Sequence, residues 1–228
     1  MGKFVEVKAQ DGHELSVYVA TPEGDVIGAL VVVQEIFGVN SSIREVADSY
    51  AKDGFVAVAP ALFDRFEKGI ELGYDEAGMK RAFELYPKLD PKVTLFDVAA
   101  AFDKAKEYHE SVAVLGFCYG GLMSWLSATR GEQLGMKPAC VVGYYPGGVG
   151  KVATEQPSCP VLLHFGASDS HIGVDQIDAV RAEHPDVEIY TYEGAEHAFA
   201  NPDRPPYKAD AAKLARERSL AFLKAHVV

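Results

Sequence analysis

Residues Ala113–Ser124 read AVLGFCYGGLMS: an apolar run, then Gly116-Phe117-Cys118-Tyr119-Gly120-Gly121, then a small-residue helix start. A short, continuously apolar run suits a strand covered on both faces, as in a parallel sheet flanked by helices. The glycines on either side of Cys118 permit a sharp turn in which strand and helix approach closely, and such a turn pushes its central residue into an exposed, strained conformation. At a helix start, free backbone N–H groups and the helix dipole favour negative charge, the form in which a thiol attacks. Cys118 therefore reads as a nucleophile at a strand-to-helix elbow, in a place where serine is the more familiar residue. The competing reading is a small buried cysteine that merely fits a crowded turn.

Outward from this stretch, apolar runs and amphipathic segments alternate along most of the chain. Upstream, Ala29-Leu30-Val31-Val32-Val33 is continuously apolar, and a helical segment follows near Ser41–Lys52. Then come FVAVAP with a helix around Thr94–His109, VAVLGF with a helix from Gly121, ACVVGYY, PVLLHFG with a helix near Val174–Glu183, and VEIYTYEG with a final helix from about Ala209 to Ala225. The beginning differs: KFVEVKAQ and LSVYVATP flank Asp11-Gly12, as the strands of an antiparallel hairpin at a sheet edge would. The expected fold class is α/β, a mostly parallel sheet of the α/β-hydrolase type with helices on both faces and an N-terminal antiparallel hairpin. Its functional loops belong at the carboxyl ends of the strands. Only Phe63–Pro91 departs from the alternation, with a short helix expected around Ala77–Leu85; it reads either as a lid or substrate wall or as an ordered surface connection.

With 228 residues, 48% hydrophobic and 24% charged, and no repeat or linker, residues 1–228 are expected to form a single domain. The formal charge is −11 and no basic stripe gathers, so nucleic acid is not an expected partner. The N-terminus carries no apolar targeting core and no apolar run approaches the length of a membrane span, so a soluble, cytoplasmic protein with no membrane partner is expected. Cys118, Cys140 and Cys159 form no CxxC pair, and the seven histidines do not cluster at ligand spacing, so neither a disulfide framework nor a metal site is expected. No cofactor is called for.

An attacking thiolate needs a base, and the base needs a group to orient it. Phe165-Gly166-Ala167-Ser168-Asp169 ends one apolar strand with an acid, and Gly194-Ala195-Glu196-His197 follows the next with a histidine. The order nucleophile, acid, histidine is that of α/β hydrolases, with His197 exchanging protons and Asp169 holding its tautomer. Taken singly, each would read as a solvated loop residue. In the same fold the oxyanion donors are the N–H after the nucleophile, here Tyr119, and an N–H after the third strand, for which Ile36 is the better candidate in Gln34-Glu35-Ile36-Phe37-Gly38. Each such donor is worth roughly 3 to 4 kcal/mol. Glu35 stands close to the elbow, either repelling a thiolate, accepting an S–H hydrogen bond, or simply ending a strand as an exposed acid.

Together VVVQEIFG, VLGFCYGG, VVGYYPG, LLHFGASD and GAEHAF resemble the dienelactone hydrolase family of cysteine-dependent α/β hydrolases, from about Val31 to the final helix. The resemblance implies hydrolysis of a small lactone or carboxylic ester through a thioester. It implies a Cys118–His197–Asp169 triad, oxyanion donors at Ile36 and Tyr119, and a Glu35 that holds the thiol neutral at rest. Tyr144 and Tyr145 match the family's tyrosine pair beside the pocket, and Phe37 and Phe199 join them as expected substrate contacts. The family's carboxylate-binding arginines are replaced: Asn201 stands four residues after His197 where one would be, Ala198 replaces a serine, and Met79 aligns with the other arginine and Phe83 with a tyrosine. A small register shift brings in Arg81 as a substrate contact. Arg81 and Arg204 are the nearby candidates to compensate, although each reads more simply as a solvated surface arginine. Losing two bidentate clamps argues for a substrate other than dienelactone itself.

Readings from other classes stay open at this point. Cys118 in a catalytically idle member of the fold would be a thiol redox sensor, with Cys140 or Cys159 as a resolving partner if either folds close to it. A cysteine peptidase or amidase would share the elbow. Cys140 and Cys159 are expected only to pack, and the spacing of His164 and His171 assigns them nothing.

Overall fold

The computed structural model describes residues 2–227. Among these, eight strands form one sheet: β1 (Lys3–Lys8), β2 (Glu14–Ala20), β3 (Gly28–Val33), β4 (Phe55–Pro60), β5 (Val112–Phe117), β6 (Val141–Tyr144), β7 (Val161–Gly166) and β8 (Glu188–Tyr192). Their spatial order is β1-β2-β4-β3-β5-β6-β7-β8, antiparallel from β1 to β4 and parallel from there on. Every residue of β3, β4, β5, β6 and β7 is buried, which is why these segments are apolar throughout rather than alternating. The edge strand β1 instead keeps Lys3, Glu6 and Lys8 on it, charges that discourage pairing with another chain.

The helices are α1 (Ser41–Lys52), α2 (Glu76–Leu85), α3 (Pro91–Lys106), α4 (Tyr119–Arg130), α5 (Val174–Glu183) and α6 (Ala209–Val227). After β3 the chain steps outward to β4, then crosses back to β5 on the other side of β3. Right-handed crossovers in opposite directions place α1 and α3 on opposite faces. α4 packs with α3, and α6 shares the α1 face, where Arg216 lies 3.6 Å over the Tyr50 ring. The reversal opens a crevice at the carboxyl ends of β3 and β5, the place where open α/β sheets bind ligands.

Boundaries differ from the sequence expectation where local chemistry intervenes. α3 starts at Pro91 rather than Thr94, because the Asp90 carboxylate accepts from Lys92 N–H at 2.9 Å and proline is preset for the first helical position. α4 starts at Tyr119 rather than Gly121, which makes Cys118 the residue that enters the helix. Phe63–Pro91 holds α2, capped by Asp75, whose carboxylate accepts from Gly78 N–H at 2.8 Å. This segment docks on the loop after β3: Leu72 N–H donates to Phe37 O at 2.8 Å, Asn40 Nδ2 donates to Leu72 O at 2.9 Å, and Arg44 pairs with Glu71.

Candidate active site

The elbow is built by close approach. A Cβ on Gly116 would stand 2.1 Å from Gly120 O, and one on Gly120 would stand 2.2 Å from Val33 O, so glycine at both positions lets α4 start against the ends of β3 and β5. Cys118 is left at φ 53°, ψ −114°, its N–H bonded to Tyr144 O at 3.0 Å. Such a backbone costs of order 1–3 kcal/mol and persists only where packing enforces it. The other non-glycine residues at positive φ are Tyr145 at 36°, next to the Tyr144 whose carbonyl accepts from Cys118, and Ala198 at 65°, next to His197. Strain is thus gathered around one point.

Cys118 and His197 line a cavity of about 540 Å³ together with Glu35, Ile36, Phe37 and Arg204. His197 donates from Nδ1 to Asp169 Oδ2 at 2.7 Å, while Asp169 Oδ1 accepts the N–H groups of His171 at 2.8 Å and Ile172 at 3.2 Å. Burial opposes charge on Asp169, but these hydrogen bonds outweigh it and hold the carboxyl below its ordinary range. Burial likewise pulls His197 down, yet its hydrogen bond to Asp169 and the neighbouring Cys118 prevail and push it up to about 10. The Tyr145 ring packs 5.0 Å from the imidazole and fixes its tilt. Neither Ile36 N–H nor Tyr119 N–H is committed to an acceptor among the described residues, so both donors are free for a ligand oxygen.

Glu35 is not an exposed strand-end acid: it is 2% exposed. It forms no hydrogen bond with Cys118; Oε2 accepts from Asn201 Nδ2 at 3.0 Å, and Oε1 lies 3.7 Å from Arg204 Nη1. Burial raises its pKa, against the opposing pull of Arg204 and Asn201. Asn201 Nδ2 also donates to the Tyr74 hydroxyl at 2.9 Å, as Asn40 Nδ2 does at 3.1 Å, so the residue in place of the family arginine ties Glu35 to the docked segment.

The expected substrate contacts divide. Phe37 lines the cavity, as do Met79 and Phe83, four residues apart on one face of α2. Arg81 falls between them on the opposite face, pairs with Glu67 and Glu84 and does not reach the cavity. Of the two readings of Arg204, a compensating cation and a solvated surface arginine, the structure favours the first: its side chain is 17% exposed, inside the cavity, over the rings of Phe37 and Tyr74. Tyr144, Tyr145 and Phe199 are buried behind the cavity wall, Tyr144 bonded to Ser219 at 2.7 Å and Phe199 packed between Tyr145 and Tyr192. These three act through packing rather than as lining. Not legible in the sequence are Tyr74, bonded to Asn201 from an irregular stretch without periodic signal, and Leu122 of the cavity wall, although spacing on α4 from Cys118 points to the latter.

Cys140 cannot serve Cys118. Val114 pairs with Val141, so Cys140 stands beside Ala113, about 16 Å along the sheet from Cys118 at ~3.3 Å per residue. Cys159 precedes β7 at that same far end, and burial pushes both thiols up. No helix among the described residues is long and apolar enough to cross a membrane.

The sequence model of the dienelactone hydrolase family matches residues 15–227. A carboxymethylenebutenolidase of Pseudomonas putida is 31% identical over 228 residues, covering 96% of this chain and 94% of that protein. A crystal structure from Klebsiella pneumoniae subsp. pneumoniae MGH 78578, provisionally named a dienelactone hydrolase, superposes with a TM-score of 0.83 at 28% identity over 97% of each chain. A dienelactone hydrolase-like promiscuous phosphotriesterase from metagenomic libraries, 22% identical with a TM-score of 0.79 over 100% of this chain and 99% of its own, shares the fold. An elbow of this shape at a sheet reversal, matched from the second strand to the last helix, places this chain in the dienelactone hydrolase family.

Proposed function

We propose that the chain hydrolyses a small lactone or carboxylic ester through a thioester on Cys118, with His197 as acid and base and Asp169 as its orienting partner. The observation that carries this reading is one cavity holding a strained Cys118 at a helix start beside a His197 bonded to Asp169 at 2.7 Å. A histidine held protonated to about 10 beside a thiol suits an ion pair of thiolate and imidazolium. The Cys118 thiolate adds to the substrate carbonyl carbon, and the oxygen that gains charge accepts from Ile36 N–H and Tyr119 N–H. Collapse breaks the acyl–oxygen bond, and the imidazolium protonates the departing alkoxide, leaving a thioester and neutral His197. His197 then takes a proton from water as the hydroxide adds to the thioester, and expulsion of the thiolate releases a carboxylic acid and restores the ion pair. With a lactone, alcohol and acid remain one molecule, a hydroxy acid. Arg204 supplies the cation that Asn201 does not, at a position set further along the chain.

Mass spectrometry of the intact protein after brief exposure to p-nitrophenyl acetate tests the assignment. An acetyl adduct is expected on Cys118, absent in Cys118→Ala and longer-lived in His197→Ala, where deacylation has lost its base. Undiminished turnover in both variants would sink the proposal.

A further inference from the structure

The catalytic cavity extends well past the reacting atoms. Cys118, Leu122 and Arg130 all line it, and spacings of four and eight residues place them in one row along α4. From Cys118 to Arg130 that row is about 18 Å long at ~1.5 Å per residue. One bank of this arm is residues 147–152, tied to α4 partway along by Trp125 Nε1, which donates to Val152 O at 3.3 Å. The other bank is residues 90–92 at the start of α3, which is tied to the base of α4 by the Tyr119 hydroxyl donating to Thr94 Oγ1 at 2.9 Å. Leu122, Val152 and Met79 give the lining apolar surface, and Phe83 and Tyr86 leave 57% and 42% of theirs exposed at the same cavity. Apolar surface gathered at a cleft in this way marks a place that a ligand covers.

The charges on the lining specify the ligand further. The chain carries 22 Lys and Arg against 33 Asp and Glu, yet four cations, Lys92, Arg130, Lys151 and Arg204, line this cavity with two carboxylates, Glu35 and Asp90. A cleft positive within a negative chain concentrates anions. Arg204 faces Glu35, Arg130 is held by Glu155 at 2.8 Å, and Asp90 caps α3 by accepting from Lys92 N–H. Lys92 and Lys151 pair with no carboxylate among the described residues, and they stand on opposite banks of the arm. Lys151 precedes Val152, which Trp125 holds seven residues beyond Cys118, about 10 Å along α4. We propose that the acyl part of the substrate is an apolar chain ending in a carboxylate, with its carbonyl at Cys118, its chain over Leu122 and Val152, and its carboxylate between Lys92 and Lys151. The place of the carbonyl rests on the proposed hydrolysis; the anion-binding arm does not. An acyl chain, unlike an alcohol, stays bonded to Sγ through both steps, so this arm holds the carbonyl against Ile36 N–H and Tyr119 N–H in acylation and deacylation alike.

The test compares p-nitrophenyl hydrogen suberate with p-nitrophenyl octanoate, equal in length but uncharged, and with p-nitrophenyl hydrogen succinate, charged but too short to reach so far along α4. At low ionic strength kcat/KM for the suberate ester is expected to exceed that for the octanoate by about ten-fold, the effect of two partly screened ion pairs, and the two converge as salt is raised. In Lys92→Gln/Lys151→Gln the ratio falls to about one, whereas Lys137→Gln, at a lysine 80% exposed and outside the cavity, keeps it. Calorimetric titration of Cys118→Ala with suberate needs no turnover: saturable binding is expected, about ten-fold weaker when both lysine changes are added. If no ester is turned over while suberate still binds in that way, the hydrolytic reading fails and the anion-binding arm stands. Equal kcat/KM for the suberate and octanoate esters, a preference for the succinate ester, or suberate binding untouched by the lysine changes would each overturn the inference.

Discussion

A cysteine, a histidine and three carboxyl-bearing or amide side chains account for the chemistry proposed here, and each depends on what stands beside it. His197 keeps its proton because Asp169 bonds to it and Cys118 stands beside it, which together more than offset the cost of burial. Glu35 is in the opposite condition, since burial disfavours its charge and Arg204 is the largest influence restoring it. Removing Arg204 therefore raises the pH at which Glu35 ionises. Arg204→Met is expected to move the acid limb of the kcat/KM profile for p-nitrophenyl acetate to higher pH, and an unmoved limb would show that Glu35 does not govern that limb. Asp169→Asn is expected to lower kcat by several orders of magnitude, because an amide at that place can favour the wrong imidazole tautomer. Steady-state rates check it, and loss confined to KM would count against the orienting role.

At the level of elements, the elbow is a packing solution as much as a chemical one. Gly120→Ala drives a Cβ to 2.2 Å from Val33 O, a backbone atom that cannot step aside without moving β3. A loss of about 3 kcal/mol or more is expected from the urea midpoint, whereas Gly24→Ala, with nothing within 4 Å of its Cβ, stays within about 0.5 kcal/mol. Asp75→Ala removes the cap of α2 and is expected to cost about 1 kcal/mol, read in the same way. α2 also shows how far periodicity reaches. Its existence and span were legible, but the face it turns to the cavity was not, so Arg81 was credited with a contact that Met79 and Phe83 make.

Across the whole molecule, two histidines of opposite behaviour bound the pH range of stability. Buried His164, held neutral between Ser219 and Tyr192, is pushed down to about 3 by burial and by the charge of Arg218. As pH falls below 6.5 the unfolded chain takes the proton that the native state refuses, so stability declines towards 3. His197 is raised instead, so its contribution is complete below 6.5 and lost as pH climbs towards about 10. Melting temperatures measured from about pH 4 to about pH 9 are expected to fall on both sides, the alkaline decline flattening in His197→Ala and the acid decline in His164→Gln. An alkaline limb unchanged in His197→Ala would contradict the ion pair. The α/β fold, the elbow and the order of Cys118, Asp169 and His197 were determined by sequence alone, since apolar period, glycine placement and strand-end position are local properties written in consecutive residues. That Glu35 turns to Asn201 and Arg204, that Tyr74 reaches Asn201 from a docked segment, and that Cys140 and Cys159 lie at the far end of the sheet was decided only by tertiary structure. The contact of Glu35 with Asn201 joins residues 166 positions apart, and a charge or hydrogen bond acts over a few ångströms of space without regard to its distance along the chain.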